Sequence, residues 1–356
     1  MTAQPLRFRG SDSLLVVAAH PDDETLAAGG LLQQAHDVRA PVTVLIATDG
    51  ENNPWPQRVL ERRWRIGPED QRRFGKRRRA EVGRALARLG LDESRLVFLS
   101  LPDQGLTRVV MDDADPAVGR LRSEIALRQP TIVVGPSTRD RHPDHSALAL
   151  LLEIALQARI GDLGAPPLRL LRYQVHGRRP PQRHADACEV RLTKPQRERK
   201  RQAILAYRSQ LVFRGRFFLS FAGERELLEG TQTAARRDSS HPIREAWADT
   251  RHVHLQIRSR SPIWSLQPKT LLLLGIDAAA RPIAVTSPAA DGEVVLDRSR
   301  LRGARRLFAK LEHRWSFFDA DGWREISLAD PPCAQPNDRA ANADASGELA
   351  ASAPRL

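Results

Sequence analysis

The sequence predicts an α/β fold: a Rossmann-like, mainly parallel sheet with helices on both faces, followed by a small β-rich C-terminal addition. Three observations predict it. Short, almost unbroken apolar runs recur through the first 160 residues, as strands buried on both faces require. Segments with apolar residues at helical spacing separate them. After about residue 240 the pattern changes to polar and apolar residues in alternation, broken by turn residues.

LLVVAA (14–19) is the first predicted strand, and Leu26 to Val38 follows it with helical spacing. VTVLIAT (42–48), LVFLSL (96–101) and TIVVGP (131–136) are further strands, separated by helices over Ala80 to Leu89 and about Ala117 to Leu127. Ser146 to Ile160 is apolar almost all round, which predicts a buried helix. This β-α-β order implies parallel pairing, and parallel sheets gather functional groups at the carboxyl ends of their strands. From about residue 165 the pattern loosens into YQVHG (173–177) and CEVRL (188–192) as strands and a helix from Lys194 to about Tyr207. HVHLQIR (252–258), TLLLLGID, RPIAVTS and GEVVLDR read as antiparallel strands. Asp319-Ala320-Asp321-Gly322 matches a fragment of a calcium loop but lacks the remaining ligands, and reads as a hairpin turn. The expected organisation is a main domain over 1–235, a β-rich accessory region over 240–328 and a disordered tail over 329–356. Strand patterning leaves three roles open for the accessory region: glycan binding, dimerisation or covering the mouth of an active site.

A chain of 356 residues with 41% hydrophobic and 28% charged residues can bury a full core and carry an addition. No apolar run approaches the roughly 20 residues needed to cross a bilayer. The apolar stretch near the start is too short for a secretory signal, so a cytoplasmic location is expected. Cys188 and Cys333 are too far apart to suggest a disulfide framework or a cysteine-rich metal site. Any metal must therefore rely on His and carboxylates. A net charge of +13 attracts polyanions, nucleic acid included. Yet only five of the 56 basic residues are Lys, the rest being Arg, in an Ala-rich chain. The nucleotide composition of a genome produces that skew as readily as function does.

The chemistry is concentrated in two clusters. His20-Pro21-Asp22-Asp23-Glu24 follows the first predicted strand, and His142-Pro143-Asp144-His145 follows the fourth. Loops at one sheet edge can meet. Burying three adjacent carboxylates costs several kcal/mol per ion unless cations or donors compensate. A divalent cation does so economically, helped by the amino end of the helix that begins near Thr25. Helix capping accounts for one or two acids, but not for the second His-Pro-Asp-His. A His/carboxylate/His set with open positions suits Zn²⁺, and equally the two-His-one-carboxylate arrangement that holds Fe²⁺.

With these residues in view, the sequence resembles the PIG-L/LmbE-like N-acetylglucosaminyl deacetylases, metal-dependent hydrolases that remove acetyl groups from amino sugars. Its (A)HPDD(E) motif corresponds to Ala19 to Glu24 and its HPDH motif to His142 to His145. Supporting pieces are TDGE (48–51), Arg78 and Glu81 ahead of Leu89-Gly90, FLSLPDQG (98–105) and KRQAILAYRSQ (200–210). In the last, Tyr207-Arg208 stands where the family often has His. The resemblance spans about residues 12–230 and leaves the accessory region outside.

The resemblance implies that His20, Asp23 and His145 ligate Zn²⁺, with Fe²⁺ as the alternative. It implies that Asp22 is the general base for the attacking water. His142, held by Asp144, would stabilise the oxyanion and protonate the leaving amine. Glu24 either orients a ligand from behind or sits in the first helical turn. Arg78 and Asp103 match positions of sugar contacts. Arg58, Arg62, Arg63, Arg65, Arg72 and Arg73 form a connection that either meets a phosphate or carboxylate on the substrate or is solvated surface. His176, His184, His241, His252, His254 and His313 match no ligand motif and read as structural or solvent-facing. The implied activity is removal of the N-acetyl group from an N-acetylglucosamine-type amino sugar or its conjugate. A metal-dependent amidase for another N-acyl group, long-chain or non-sugar, is the alternative. A nucleic-acid phosphoesterase or binder fits less well, because a two-metal site wants bridging carboxylates from several strands and only one acidic cluster is present.

Overall fold

The computed structural model describes residues 4–160, 167–177, 187–230, 241–259, 268–313 and 316–328. The first part contains strands β1 (Gln4–Pro5), β2 (Leu14–Ala18), β3 (Val42–Thr48), β4 (Leu96–Leu101), β5 (Ile132–Pro136), β6 (Arg169–Tyr173), β7 (Cys188–Arg191) and β8 (Arg225–Gly230). Its helices are α1 (Asp23–Asp37), α2 (Pro54–Glu61), α3 (Pro68–Leu89), α4 (Leu106–Asp112), α5 (Asp115–Arg128), α6 (Pro143–Ile160), α7 (Lys194–Ile204) and α8 (Arg208–Ser220). The strands form one sheet in the order β1-β7-β8-β6-β5-β2-β3-β4. β6, β5, β2, β3 and β4 run parallel, while β8 is antiparallel to both β6 and β7.

The side-chain period of two explains both helical layers. Leu14, Val16 and Ala18 of β2 face a core shared with Leu31 of α1, Val82 of α3 and Ile204 of α7. Leu15, Val17 and Ala19 face the opposite core, with Leu106, Leu121 and Leu151 of α4, α5 and α6. Both faces of β2 and β5 are buried, which is why those strands read as unbroken apolar runs. From β2 the chain steps to β3 and β4 on one side and returns to β5 on the other. β2 and β5 are hydrogen-bonded neighbours, so the loops leaving their carboxyl ends lie side by side at the point where strand order reverses.

Some elements differ from expectation. α2, α4 and α8 are absent from the sequence reading; the first two are short, and α8 is broken by a non-helical Arg214. The segment after Tyr173 is not strand, because the backbone N–H groups of Val175 and His176 donate to Asp140 Oδ2 at 2.9 and 3.1 Å.

The later strands are β9 (Ile243–Ala248), β10 (His252–Ile257), β11 (Lys269–Asp277), β12 (Pro282–Ala289), β13 (Gly292–Asp297), β14 (Ala304–His313) and β15 (Arg324–Ile326). They form antiparallel sheets in the orders β13-β10-β9 and β12-β11-β14-β15. Alternation again divides two cores. Leu271 and Leu273 pack with Val253, Leu255 and Ile257 of the smaller sheet. Leu272, Leu274, Ile276 and Phe308 join the core of the α4, α5 and α6 layer. The four-stranded sheet is thus sandwiched between its smaller partner and the α/β body.

The expected hairpin turn at 319–322 is instead part of a longer connection between β14 and β15 that folds back onto the loop after β5. Asp319 N donates to Arg141 O at 3.0 Å and Trp323 N to Thr138 O at 2.7 Å. A Cβ on Gly322 would lie 1.9 Å from Thr138 O, so only glycine allows this approach. The buried Lys310 ammonium reaches Asp319 Oδ2 at 2.8 Å. Residues 329–356, with Cys333, and His184 lie outside the described residues. Among the described residues no helix is long and apolar enough to cross a membrane.

Candidate active site

The loop after β2 places the first cluster. Asp22 has φ of 132°, a conformation that costs a non-glycine residue on the order of 1–3 kcal/mol. Asp22 stands at the N-cap of α1, where its carbonyl accepts from Thr25 N and Leu26 N, but its carboxylate makes no capping hydrogen bond and is left for other partners. The kink separates the neighbouring carboxylates. Asp22 Oδ2 turns to the Arg78 guanidinium at 2.9 Å, and Asp23 Oδ2 turns to His20 and His145. Glu24 supports the kink from beneath: Oε2 accepts from Asp22 N at 3.0 Å, and Oε1 accepts from Thr25 Oγ1 and the Tyr207 hydroxyl. Tyr207, where the family often has His, is fully buried against this carboxylate.

The loop after β5 brings in the second cluster. His145 Nε2 lies 3.1 Å from Asp23 Oδ2 and 3.3 Å from His20 Nδ1, and that nitrogen is 3.3 Å from Asp23 Oδ2. Three donor atoms therefore form a nearly equilateral triangle. The far nitrogens of both imidazoles meet carboxylates: His145 Nδ1 meets Asp140 Oδ2 at 3.2 Å, and His20 Nε2 meets Asp103 Oδ1 and Asp144 Oδ2, each at 3.2 Å. Such outer carboxylates fix imidazole orientation at metal sites. His142 completes the cluster, its ring centroid 4.6 Å from that of His20 and 4.8 Å from that of His145. His20, His142 and His145 can each offer a donor atom within 4.8 Å of the others.

Two expected contacts turn out differently. The Asp144 carboxylate does not hold His142. It accepts from Gln104 N at 2.7 Å and Leu106 N at 3.0 Å and faces His20, because the loop after β4 offers it two backbone donors. Its own backbone N–H donates to His142 Nδ1 at 3.3 Å. Arg78, matched to a sugar contact, gives its guanidinium to Gly50 O, Pro21 O and Asp22 Oδ2, although it still lines the cavity. Gly50, at φ of 65°, makes this approach possible: a Cβ there would sit 1.8 Å from the guanidinium. Glu81, three residues after Arg78, accepts from Ser209 N and Oγ at 2.9 and 2.6 Å, so α3 and the start of α8 are joined beside the site.

Asp140 was not singled out by the sequence reading. It is fully buried and also accepts from His142 N at 2.9 Å, so one carboxylate orders the HPDH loop, His145 and the turn at His176. Its position two residues before His142 was the only available signal. His176, expected to be structural or solvent-facing, lies on the cavity wall with its ring 5.1 Å from that of His145.

Proton affinities follow from burial against charge. Burial raises the Asp22 carboxyl to about 8; Asp23 adds to this, while Arg78 and His20 oppose it. Asp23, despite burial, is held well below the carboxylate range by His145 and His20. Burial would lower His145, but Asp23 and Asp140 carry it up to about 10, and Asp140 is drawn down to about 2 against its own burial. His20 is raised against burial by Asp103, Asp144 and Asp23. His142 moves the other way, lowered by burial and then by His20, His145 and His176, so the neutral imidazole is favoured there. Burial lowers His176 to about 4, with His145 adding to the effect.

The cluster forms the floor of a cavity of about 600 Å³. Buried Asp22, Asp23, His20, Arg78, Asp103 and His142 line it together with Trp55, Phe213, Phe217, Phe317 and Phe318.

Residues 15–156 match the family model PIG-L: GlcNAc-PI de-N-acetylase. The chain is similar to a 1D-myo-inositol 2-acetamido-2-deoxy-alpha-D-glucopyranoside deacetylase of Mycolicibacterium smegmatis, 35% identical over 147 residues, 38% of this chain and 50% of that one. A protein of the same description from Nocardia farcinica is 30% identical over 145 residues, 37% and 47% of the two chains. The chain thus spans about half the length of the curated relatives it matches. Among solved structures, N,N'-diacetylchitobiose deacetylase from Pyrococcus horikoshii aligns at 21% identity with a TM-score of 0.42, over 62% of this chain and 82% of that one.

Proposed function

From a chain whose residues 15–156 form a PIG-L family domain, we propose a metal-dependent hydrolase that removes the N-acetyl group from an N-acetylglucosamine-type amino sugar or its conjugate. The observation that carries the metal is the triangle of His20 Nδ1, Asp23 Oδ2 and His145 Nε2, with sides of 3.1 to 3.3 Å. Tetrahedral bonds of about 2.0–2.1 Å place ligand atoms about 3.3 Å apart, so the donor set fits Zn²⁺ without rearrangement. Fe²⁺ is the alternative for two imidazoles and a carboxylate. When bound, the ion supplies Lewis acidity toward the amide carbonyl and makes water a nucleophile near neutral pH.

The protein's own groups supply the rest. Asp22, held by Arg78 and raised in proton affinity by burial, is the base that receives the proton of the attacking water. His142 accepts the Asp144 N–H at Nδ1, which leaves Nε2 to carry the proton. That N–H donates a hydrogen bond to the developing oxyanion, and the proton that Asp22 takes from the water passes on to the departing amine. Asp140, Asp103 and Asp144 hold the two ligating imidazoles in orientation.

The test is a screen of N-acetylglucosamine conjugates for free amine, run before and after chelation and on Asp22→Asn. Activity should vanish with chelator and return with Zn²⁺ or Fe²⁺, and the variant should lose about 10²- to 10⁴-fold in kcat. Turnover indifferent to chelator would end the metal mechanism. Turnover confined to longer N-acyl groups would replace the acetyl assignment.

A further inference from the structure

The accessory strands reach into the candidate active site. The connection between β14 and β15 carries Phe317 and Phe318, whose rings lie 5.1 and 5.7 Å from that of His142. Phe318 also lies 5.3 Å from His176, and His176 stacks on Phe217 of α8 at 6.0 Å. The Arg214 guanidinium bridges the two elements, 5.6 Å from the Phe217 ring and 5.7 Å from Phe318. Trp55 of α2 and Phe213 of α8 continue the same wall. Four of these five aromatic residues lie outside residues 15–156, so the wall belongs largely to the parts of this chain beyond the family domain.

Their exposure separates floor from rim. The charged and imidazole groups at the base are at most 9% exposed, whereas Trp55 is 59%, Phe213 58%, Phe317 48% and Phe217 37% exposed. A sugar whose amide meets the floor would need a purely polar, hydrated surround only if the rest of the molecule were polar. Here Asn53, Gln104, Gln210 and Arg214 share the lining with five large aromatic side chains, four of which remain more than a third exposed although they adjoin one cavity. An isolated exposed aromatic residue needs no explanation; a collar of five aromatic side chains lining one cavity with the candidate catalytic groups does.

We propose that this collar is the subsite for an apolar, alkyl or aryl, aglycone on the amino-sugar substrate, and that Phe317 and Phe318 set the preference for it. The assignment rests on the deacetylase reading above. The accessory region then completes the substrate site at its mouth. The aglycone, rather than the N-acyl group, fills the collar because the acetyl carbon must lie at the buried carboxylate and imidazole groups, while the collar residues are the exposed part of the lining.

The experiment uses the full chain and two series of substrates: N-acetylglucosaminides with methyl, butyl, hexyl and octyl aglycones, and methyl glucosaminides with N-acyl chains of the same lengths. A methylene buried in the collar is worth up to about 0.8 kcal/mol, so kcat/KM should rise about two- to fourfold per carbon along the aglycone series, mainly through KM. In Phe317→Ala and Phe318→Ala, and separately in Phe213→Ala on α8, the slope along that series should fall. Phe213 and Phe317 are exposed enough for these variants to fold. A flat aglycone series in an active enzyme, or unchanged slopes in all three variants, would overturn the subsite. A rise along the N-acyl series alone would move the collar to the acyl side and overturn it too. No deacetylation of any compound, methyl glycoside included, would instead count against the functional reading itself.

Discussion

Asp140 shows what a single side chain contributes here. Its two oxygens receive three backbone N–H groups and face His145 Nδ1, and both Asp140 and His145 are at 0% exposure. Removing its charge takes the fixed partner from His145 and sets the amide of an Asn against a backbone donor. Asp140→Asn should weaken Zn²⁺ binding about 10- to 100-fold, read by competition with a chromophoric chelator. Unchanged metal affinity would show that His145 keeps its orientation by packing alone. At this scale the sequence was legible where residue types repeat at short spacing. HPDD and HPDH mark themselves, and His20, Asp23 and His145 are brought together. Asp140 and His176 carried no such signal, since their importance arises from backbone donors supplied by a turn 35 residues away. For Asp144 and Arg78, motif position fixed the neighbourhood but not the partner, which depends on where the loops after β4 and β3 place their backbone groups.

The connection over 316–323 is the element through which the accessory strands act on the site, and His241 helps to fix it. His241 Nδ1 accepts from Ile243 N at 3.0 Å, and Nε2 donates to Gly322 O at 3.3 Å. Only the neutral ring satisfies both. Burial lowers its proton affinity below the ordinary 6.5; Arg324 and Arg139 act in the same direction and Asp321 opposes them. Below about pH 6.5 the unfolded chain therefore binds more protons at this position than the folded one, and stability falls as pH falls through that window. Tm should drop more between pH 7.5 and 5.5 in the natural chain than in His241→Gln, whose amide can make both bonds without titrating. Equal drops would remove His241 from the pH response. Among elements, strands such as LLVVAA were legible because burial on both faces leaves a continuous apolar run. α2 and α8 were not, since a helix of eight residues beginning Pro-Trp-Pro and a helix broken at Arg214 show no sustained period. The 316–323 connection was read as a turn because the sequence carries its composition but not its contact with the loop after β5.

For the whole molecule, the expected boundary near 235–240 raises the question of whether the accessory strands are a separate folding unit. Alternation along β11 argues that they are not. Leu271 and Leu273 belong to the sandwich, while Leu272, Leu274 and Ile276 belong to the core of the α4, α5 and α6 layer. Lys310, fully buried, reaches Thr107 of α4 as well as Asp319. The sequence TLLLLGID could not disclose this, because four consecutive leucines say that both faces are covered without saying by what. A mutation on the shared face therefore tests the architecture. Leu274→Ala removes a fully buried side chain and should cost about 2–5 kcal/mol. If the core is continuous, that cost lowers one common unfolding transition followed by calorimetry, and loss of the proposed deacetylase activity on heating follows the same curve. If the accessory strands unfold first and leave an active α/β body behind, two transitions separate in the variant. The activity lost in the earlier one would then measure what Phe317 and Phe318 contribute from their place beside His142.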